Sequence, residues 1–198
     1  MKYSEIAKRI ITLKQKDDAL RQKLIESGEL SKGYNPEMER LHISNAIKLE
    51  SIIHEIGFPC RDKVGQDAAN AAWIIVQHAI SRPSLMQRYY DLMEDAVASK
   101  KANPVHLAYL SDRINVFQDK PQLYGTQYDW DENGKMSPKA FDNLDEVNKR
   151  REELGLNTVQ EQTRIMRKRA VKENQQPPSG RKQHLANYNG WRKKVGWL

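Results

Sequence analysis

Several polar residues in this chain have the types needed for acid–base or anion-binding chemistry, and all sit where the surrounding pattern predicts burial. Gln77 and His78 end the apolar run AANAAWIIVQHAI, residues 68–80. Asp112 and Arg113 lie inside a later apolar-patterned segment, and Gln122-Leu-Tyr124-Gly125-Thr126-Gln127 follows within ten positions. An imidazole exchanges protons near neutral pH, so His78 suits a general base or acid. Asp112 has the chemistry to fix the tautomer of that imidazole. A guanidinium grips a carboxylate or phosphate through two parallel N–H groups, which suits Arg113. Leaving a buried polar group unpaired costs about 1–3 kcal/mol, so these residues are expected to find one another. On this reading His78, Asp112 and Tyr124 are catalytic. Asn45, Gln77, Arg113, Gln122, Thr126 and Gln127 bind the ligand, and all line one internal pocket.

Other chemistry lacks its residues. No glycine-rich phosphate loop and no Cys/His ladder of zinc spacing is present, so neither a metal site nor a bound cofactor is expected. No serine occupies a nucleophile elbow. Cys60 stands between Pro59 and Arg61, and no histidine partner can be assigned to it from the sequence.

The elements that must position these residues are mostly helices. Ile6, Ile10, Leu13, Leu20 and Leu24 form one stripe of a helix from about residue 3 to 27, interrupted by Asp17 and stopped near Gly28. Asn35-Pro36 caps and opens a second helix, whose stripe runs Met38, Leu41, Asn45, Leu49, Ile52 and Ile56. Gly57-Phe58-Pro59 closes it. A buried helix begins near Gly65, another spans about 84–100, and Asn103-Pro104 opens the next. The period then changes, and Asn133-Gly134 predicts a two-residue hairpin turn joining about 123–129 to 135–140. A charged helix over 142–154 follows. Thr158 caps a last helix that fades by Asn174, and QQPPSG (175–180) reads as a linker. The resulting fold class is mainly α: a single-domain helical bundle over 1–160 with one small hairpin near 122–140, and a basic C-terminal extension over 161–198.

The net charge is +7, and residues 161–198 carry ten Lys or Arg against only Glu161 and Glu173, so the basicity belongs to this segment. Interleaved with Tyr188, Trp191 and Trp197, those cations suit a phosphate backbone, making nucleic acid a candidate partner; a solvated helix with surplus lysines is the plainer alternative. Trp191 and Trp197 are expected to dock rather than stay exposed. No apolar run approaches the ~20 residues that cross a bilayer, so no membrane partner is expected. The N-terminal stretch breaks its apolar patch with Lys and Asp and does not resemble a signal peptide. The lone cysteine fits a reducing cytoplasm. Nothing in the pattern sets an oligomeric state.

The order of these motifs resembles a bacterial family of unknown function. The residues that carry the resemblance are Asn45, Ile-Gly-Phe-Pro (56–59), Val64-Gly65, Gln77-His78-Ala79, Ala108-Tyr109-Leu110-x-Asp112-Arg113 and Gln122-x-Tyr124-Gly125-Thr126-Gln127. It extends from about Met38 to Leu156. The family commonly has Trp where this chain has Phe58. The resemblance implies marked positions without roles. Three functional readings compete: a hydrolase or transferase acting on a small polar or anionic ligand, a nucleic-acid or protein binding module using the basic tail, and a structural protein with a buried hydrogen-bond network.

Overall fold

A computed structural model of the chain describes residues 2–29 and 33–198. Among these residues the protein is mainly helical, with one two-stranded antiparallel hairpin. It divides into two compact units, Met1–Leu107 and Ala108–Leu198.

In the first unit, α1 (Ser4–Glu26) packs on α2 (Pro36–Ile56) and α4 (Gln66–His78), and α4 also packs on α5 (Pro83–Ala98). The apolar stripes explain the arrangement: Ile10 of α1, Leu49 and Ile52 of α2, Ala72, Ile75 and Val76 of α4, and Leu85, Met86 and Tyr89 of α5 are all buried. Asn35 opens α2 as its pattern predicts, its Oδ1 accepting from Glu37 N at 2.8 Å and Met38 N at 3.3 Å. One short helix escapes the periodicity, α3 (Arg61–Val64), whose Lys63 carbonyl accepts from both Lys2 N and Tyr3 N at 3.1 Å.

Helix α6 (Pro104–Phe117) begins in the first unit and continues into the second. The second unit adds β1 (Tyr128–Trp130), β2 (Met136–Pro138), α7 (Leu144–Glu153), α8 (Val159–Lys172) and α9 (Arg181–Val195). Thr158 and Glu161 form a reciprocal capping box at the start of α8. The hairpin is shorter than its alternation suggests, and its turn differs. Trp130 pairs with Met136, so the connection spans five residues. The Asp131 carboxylate organises it by accepting from Asn133 N and Lys135 N, each at 2.9 Å, and from Ser137 Oγ at 2.8 Å. An internal side-chain acceptor thus replaces the tight Asn-Gly turn.

Helix α9 is a second addition to the sequence reading. Trp197, just beyond it, stacks on Phe117 with ring centroids 4.9 Å apart, and Trp191 meets the same ring edge-on at 5.7 Å. Arg192 is buried and donates to Phe117 O at 3.0 Å and to both oxygens of Asp119 at 2.6 and 3.1 Å.

Candidate functional site

A largely buried polar cluster in the first unit lies where α1, α2 and the end of α4 meet. Asp17 of α1 is buried on an otherwise apolar face. Its Oδ1 lies 3.0 Å from His42 Nε2, and its Oδ2 lies 2.5 Å from His78 Nδ1. Burial by itself would push the Asp17 carboxyl up. The hydrogen bonds and charge of the two imidazoles outweigh it and hold the group below the ordinary carboxylate range. An ionised carboxylate only accepts, so each facing ring nitrogen carries the hydrogen.

The network continues outward. Tyr34 OH lies 2.9 Å from His42 Nδ1. Burial, with the charge of Glu39 adding to it, raises the Tyr34 phenol, so it keeps its proton and serves as a donor. Ser81 Oγ donates to Glu39 Oε1 at 2.6 Å. Asn45, one turn beyond His42 on α2, donates from Nδ2 to Leu13 O at 3.0 Å. Its Oδ1 is buried with no hydrogen-bond partner among the described residues.

His78 differs from the other members in being accessible. Its side chain is 32 % exposed while that of Asp17 is 3 % exposed. With Nδ1 committed to Asp17, the ring's second nitrogen has no partner among the described residues. The arrangement therefore delivers an imidazole with a fixed tautomer and a free basic nitrogen.

Asp17, His42 and His78 also form a one-carboxylate, two-imidazole set whose donor atoms lie within 4.8 Å of one another. These residue types suit a transition metal. The two rings sit on opposite oxygens of one carboxylate, each at hydrogen-bond distance, so the same three side chains also form a hydrogen-bond relay.

The remaining sequence-predicted residues form a different constellation, within the second unit. Asp112 is fully buried and accepts from three backbone N–H groups: Leu123 at 2.8 Å and Tyr124 at 3.1 Å on Oδ1, and Thr126 at 2.9 Å on Oδ2. Burial raises its carboxyl, and the three amides oppose the rise. Gln122, also fully buried, accepts from Gln127 N at 2.6 Å and donates to Gln127 O at 3.1 Å and Lys139 O at 2.9 Å. Arg113 Nε donates to Gln127 Oε1 at 3.0 Å, and Gln127 Nε2 donates to Thr126 Oγ1 at 3.0 Å. Burial pushes the Arg113 guanidinium down to about 10. Arg151 donates to Tyr124 O at 2.7 Å. Gly125 has φ +61°, and a Cβ there would lie 3.1 Å from Val159 Cγ2.

The carboxylate that orients His78 is therefore Asp17, not Asp112. Asp112 instead spends both oxygens on the backbone of the loop that holds Tyr124. Tyr124 contributes its main chain to this clasp through its N–H and carbonyl. Gln77 is buried at the end of α4 beside His78. Asp17, His42 and Tyr34 are the functional candidates that sequence reasoning missed. The signal was present: Asp17 breaks one apolar stripe, and His42 falls on the same side of α2 as Met38 and Asn45.

Comparison with family models matches residues 4–172 to DUF6624, a family of unknown function. No curated protein and no solved structure matches the chain.

Proposed function

We propose that this chain, which belongs to DUF6624, is a hydrolase or transferase for a small polar or anionic ligand, with His78 as the group that moves the proton. The observation that carries the reading is the 2.5 Å approach of His78 Nδ1 to Asp17 Oδ2, made by a buried carboxylate to a partly exposed ring. Asp17 holds the imidazole in one tautomer and stabilises the imidazolium that forms when the outer nitrogen accepts a proton. His42, anchored by Tyr34, occupies the second carboxylate oxygen and prevents Asp17 from rotating away. A positioned base of this kind contributes about 10²–10⁴-fold to a rate. In this reading Asp112, Arg113, Gln122, Thr126 and Gln127 are positioning residues for their own loop.

The test compares hydrolysis of p-nitrophenyl acetate, p-nitrophenyl phosphate and bis(p-nitrophenyl) phosphate by the wild type, His78→Gln and Asp17→Asn. At least one substrate should be turned over, with His78→Gln slower by about 10²-fold or more. A wild-type rate no higher than that of His78→Gln on all three removes the reading. Loss of activity on chelation, restored by Zn²⁺, would recast Asp17, His42 and His78 as ligands.

The basic segment offers a second reading, as a nucleic-acid contact. Several of its cations are committed within the second unit: Arg167 to Met136 O, Arg181 to Trp130 O and Arg192 to Asp119. Tyr188, Trp191 and Trp197 make ring contacts with Phe117 and so are not open stacking platforms. Lys182, Lys193 and Lys194 remain exposed. Replacing all three by Glu should sharply lower the salt needed to elute the protein from heparin; unchanged elution removes this reading.

A further inference from the structure

The opposite end of α4 from His78 borders a cavity that the acid–base reading does not use. Its volume is about 180 Å³, comparable to roughly six waters of liquid and below the ~300–1,000 Å³ of drug-sized sites. It lies wholly within the first unit, and Tyr89, Phe58, Trp73, His106, Lys100 and Lys101 are among its lining residues.

Three features of this cavity point to a ligand. The first is Tyr89, a buried residue of the cavity wall (1 % exposed) whose phenol can donate a hydrogen bond. A buried phenol normally finds a partner, so a phenol in a cavity wall suits a ligand that carries an acceptor. Burial raises this phenol, so it keeps its proton. The second feature is a rigid aromatic wall. The Trp73 and His106 rings are nearly parallel, 8° apart with centroids 3.9 Å apart, and Trp73 Nε1 donates to His106 O at 3.1 Å. Burial lowers the His106 pKa, which keeps that ring uncharged. The Phe58 ring, tilted against Tyr89 at 5.2 Å, adds a further apolar surface. The third feature is charge. Lys100 and Lys101 are exposed beside the cavity, on the turn that follows α5.

We infer that this cavity is a second small-ligand site, built for a compact aromatic carboxylate with a hydrogen-bond acceptor at the far end of its ring. The ring lies against the Trp73–His106 wall, the inner acceptor takes the Tyr89 hydroxyl, and the carboxylate meets the two ammonium groups. The size favours one ring over two, and a phenol donor together with two cations in the lining favours a ligand that carries both an acceptor and a negative charge.

Calorimetric titration of the full chain with 4-hydroxybenzoate, benzoate and 4-hydroxybenzyl alcohol tests this. The wild type should bind 4-hydroxybenzoate best, with Kd on the order of 1 mM or tighter. Tyr89→Phe should weaken 4-hydroxybenzoate about 3–10-fold, the effect of one lost hydrogen bond, and leave benzoate unchanged. Lys100→Ala with Lys101→Ala should remove the preference for the acid over the alcohol, as added salt should in the wild type. These two lysines are exposed, so that variant remains informative if Tyr89→Phe fails to fold. His78→Gln should bind all three probes as the wild type does. The proposal is overturned by absence of binding to either acid or by equal affinity for acid and alcohol. It is also overturned if a folded Tyr89→Phe binds 4-hydroxybenzoate as tightly as the wild type.

Discussion

Asp17 and Asp112 are both buried carboxylates on helices, yet they are held by opposite kinds of partner. Asp17 faces two side chains that can gain or lose protons, His42 and His78. Asp112 faces three backbone N–H groups, which cannot. A carboxylate bonded to imidazoles is tied to chemistry that changes with pH and with a bound ligand. A carboxylate bonded to amides fixes a loop and does little else. The contrast separates a candidate reactive site in the first unit from a structural clasp in the second, although the sequence presents His78 and Asp112 as natural companions.

The largest effect that would break this contrast is at the clasp. Asp112→Ala leaves three part-buried amides without an acceptor, so it should cost about 3 kcal/mol in urea unfolding, near the lower end of the ~1–3 kcal/mol for each orphaned donor. A loss under about 1 kcal/mol would show that the loop holds itself. Next, Gly125→Ala forces a side chain into the left-handed region and towards Val159, with an expected loss of about 2 kcal/mol by the same measurement.

Asp17→Asn should cost less, about 1–2 kcal/mol at neutral pH, because one side-chain oxygen still accepts. Its pH dependence sharpens the comparison. The folded Asp17 carboxyl lies below its ordinary value of 3.8, so its stabilisation is complete above that pH and is lost as pH falls below it. The gap between wild type and Asp17→Asn should therefore narrow in acid. The Asp112 carboxyl is raised above 3.8, so the wild type gains stability as pH falls through the raised value, and the gap to Asp112→Asn should widen. Parallel pH profiles for the two variants would erase the distinction. The smallest effect belongs to His78→Gln, expected to shift stability by less than about 1 kcal/mol because the ring is partly exposed, while slowing turnover by about 10²-fold or more.

Local chemistry made much of the fold legible. Asn35-Pro36 and Thr158 with Glu161 mark helix starts where α2 and α8 begin, because a capping side chain acts on amides two or three residues away. The burial of Gln77, Asp112 and Gln122 followed from their apolar surroundings. Pairing was not legible in the same way. Asp17 and His78 are 61 positions apart and meet only after α1 packs on α4, and no spacing rule encodes that contact. Helix α9 escaped notice because Gly190 and a polar composition weaken its period, and because its anchors, Arg192 and the following Trp197, act through Phe117 far back in the chain.

The turn that joins β1 to β2 bears on how the protein ages in storage. An Asn-Gly pair degrades when the glycine nitrogen attacks the asparagine amide carbon to close a succinimide ring. Here Gly134 N is engaged with Asp131 O at 3.1 Å, and Asn133 N is held by the Asp131 carboxylate. The intact hairpin restrains the very nitrogen that would begin the damage, so deamidation at Asn133 should run slower in the folded chain than in a free peptide of the same residues.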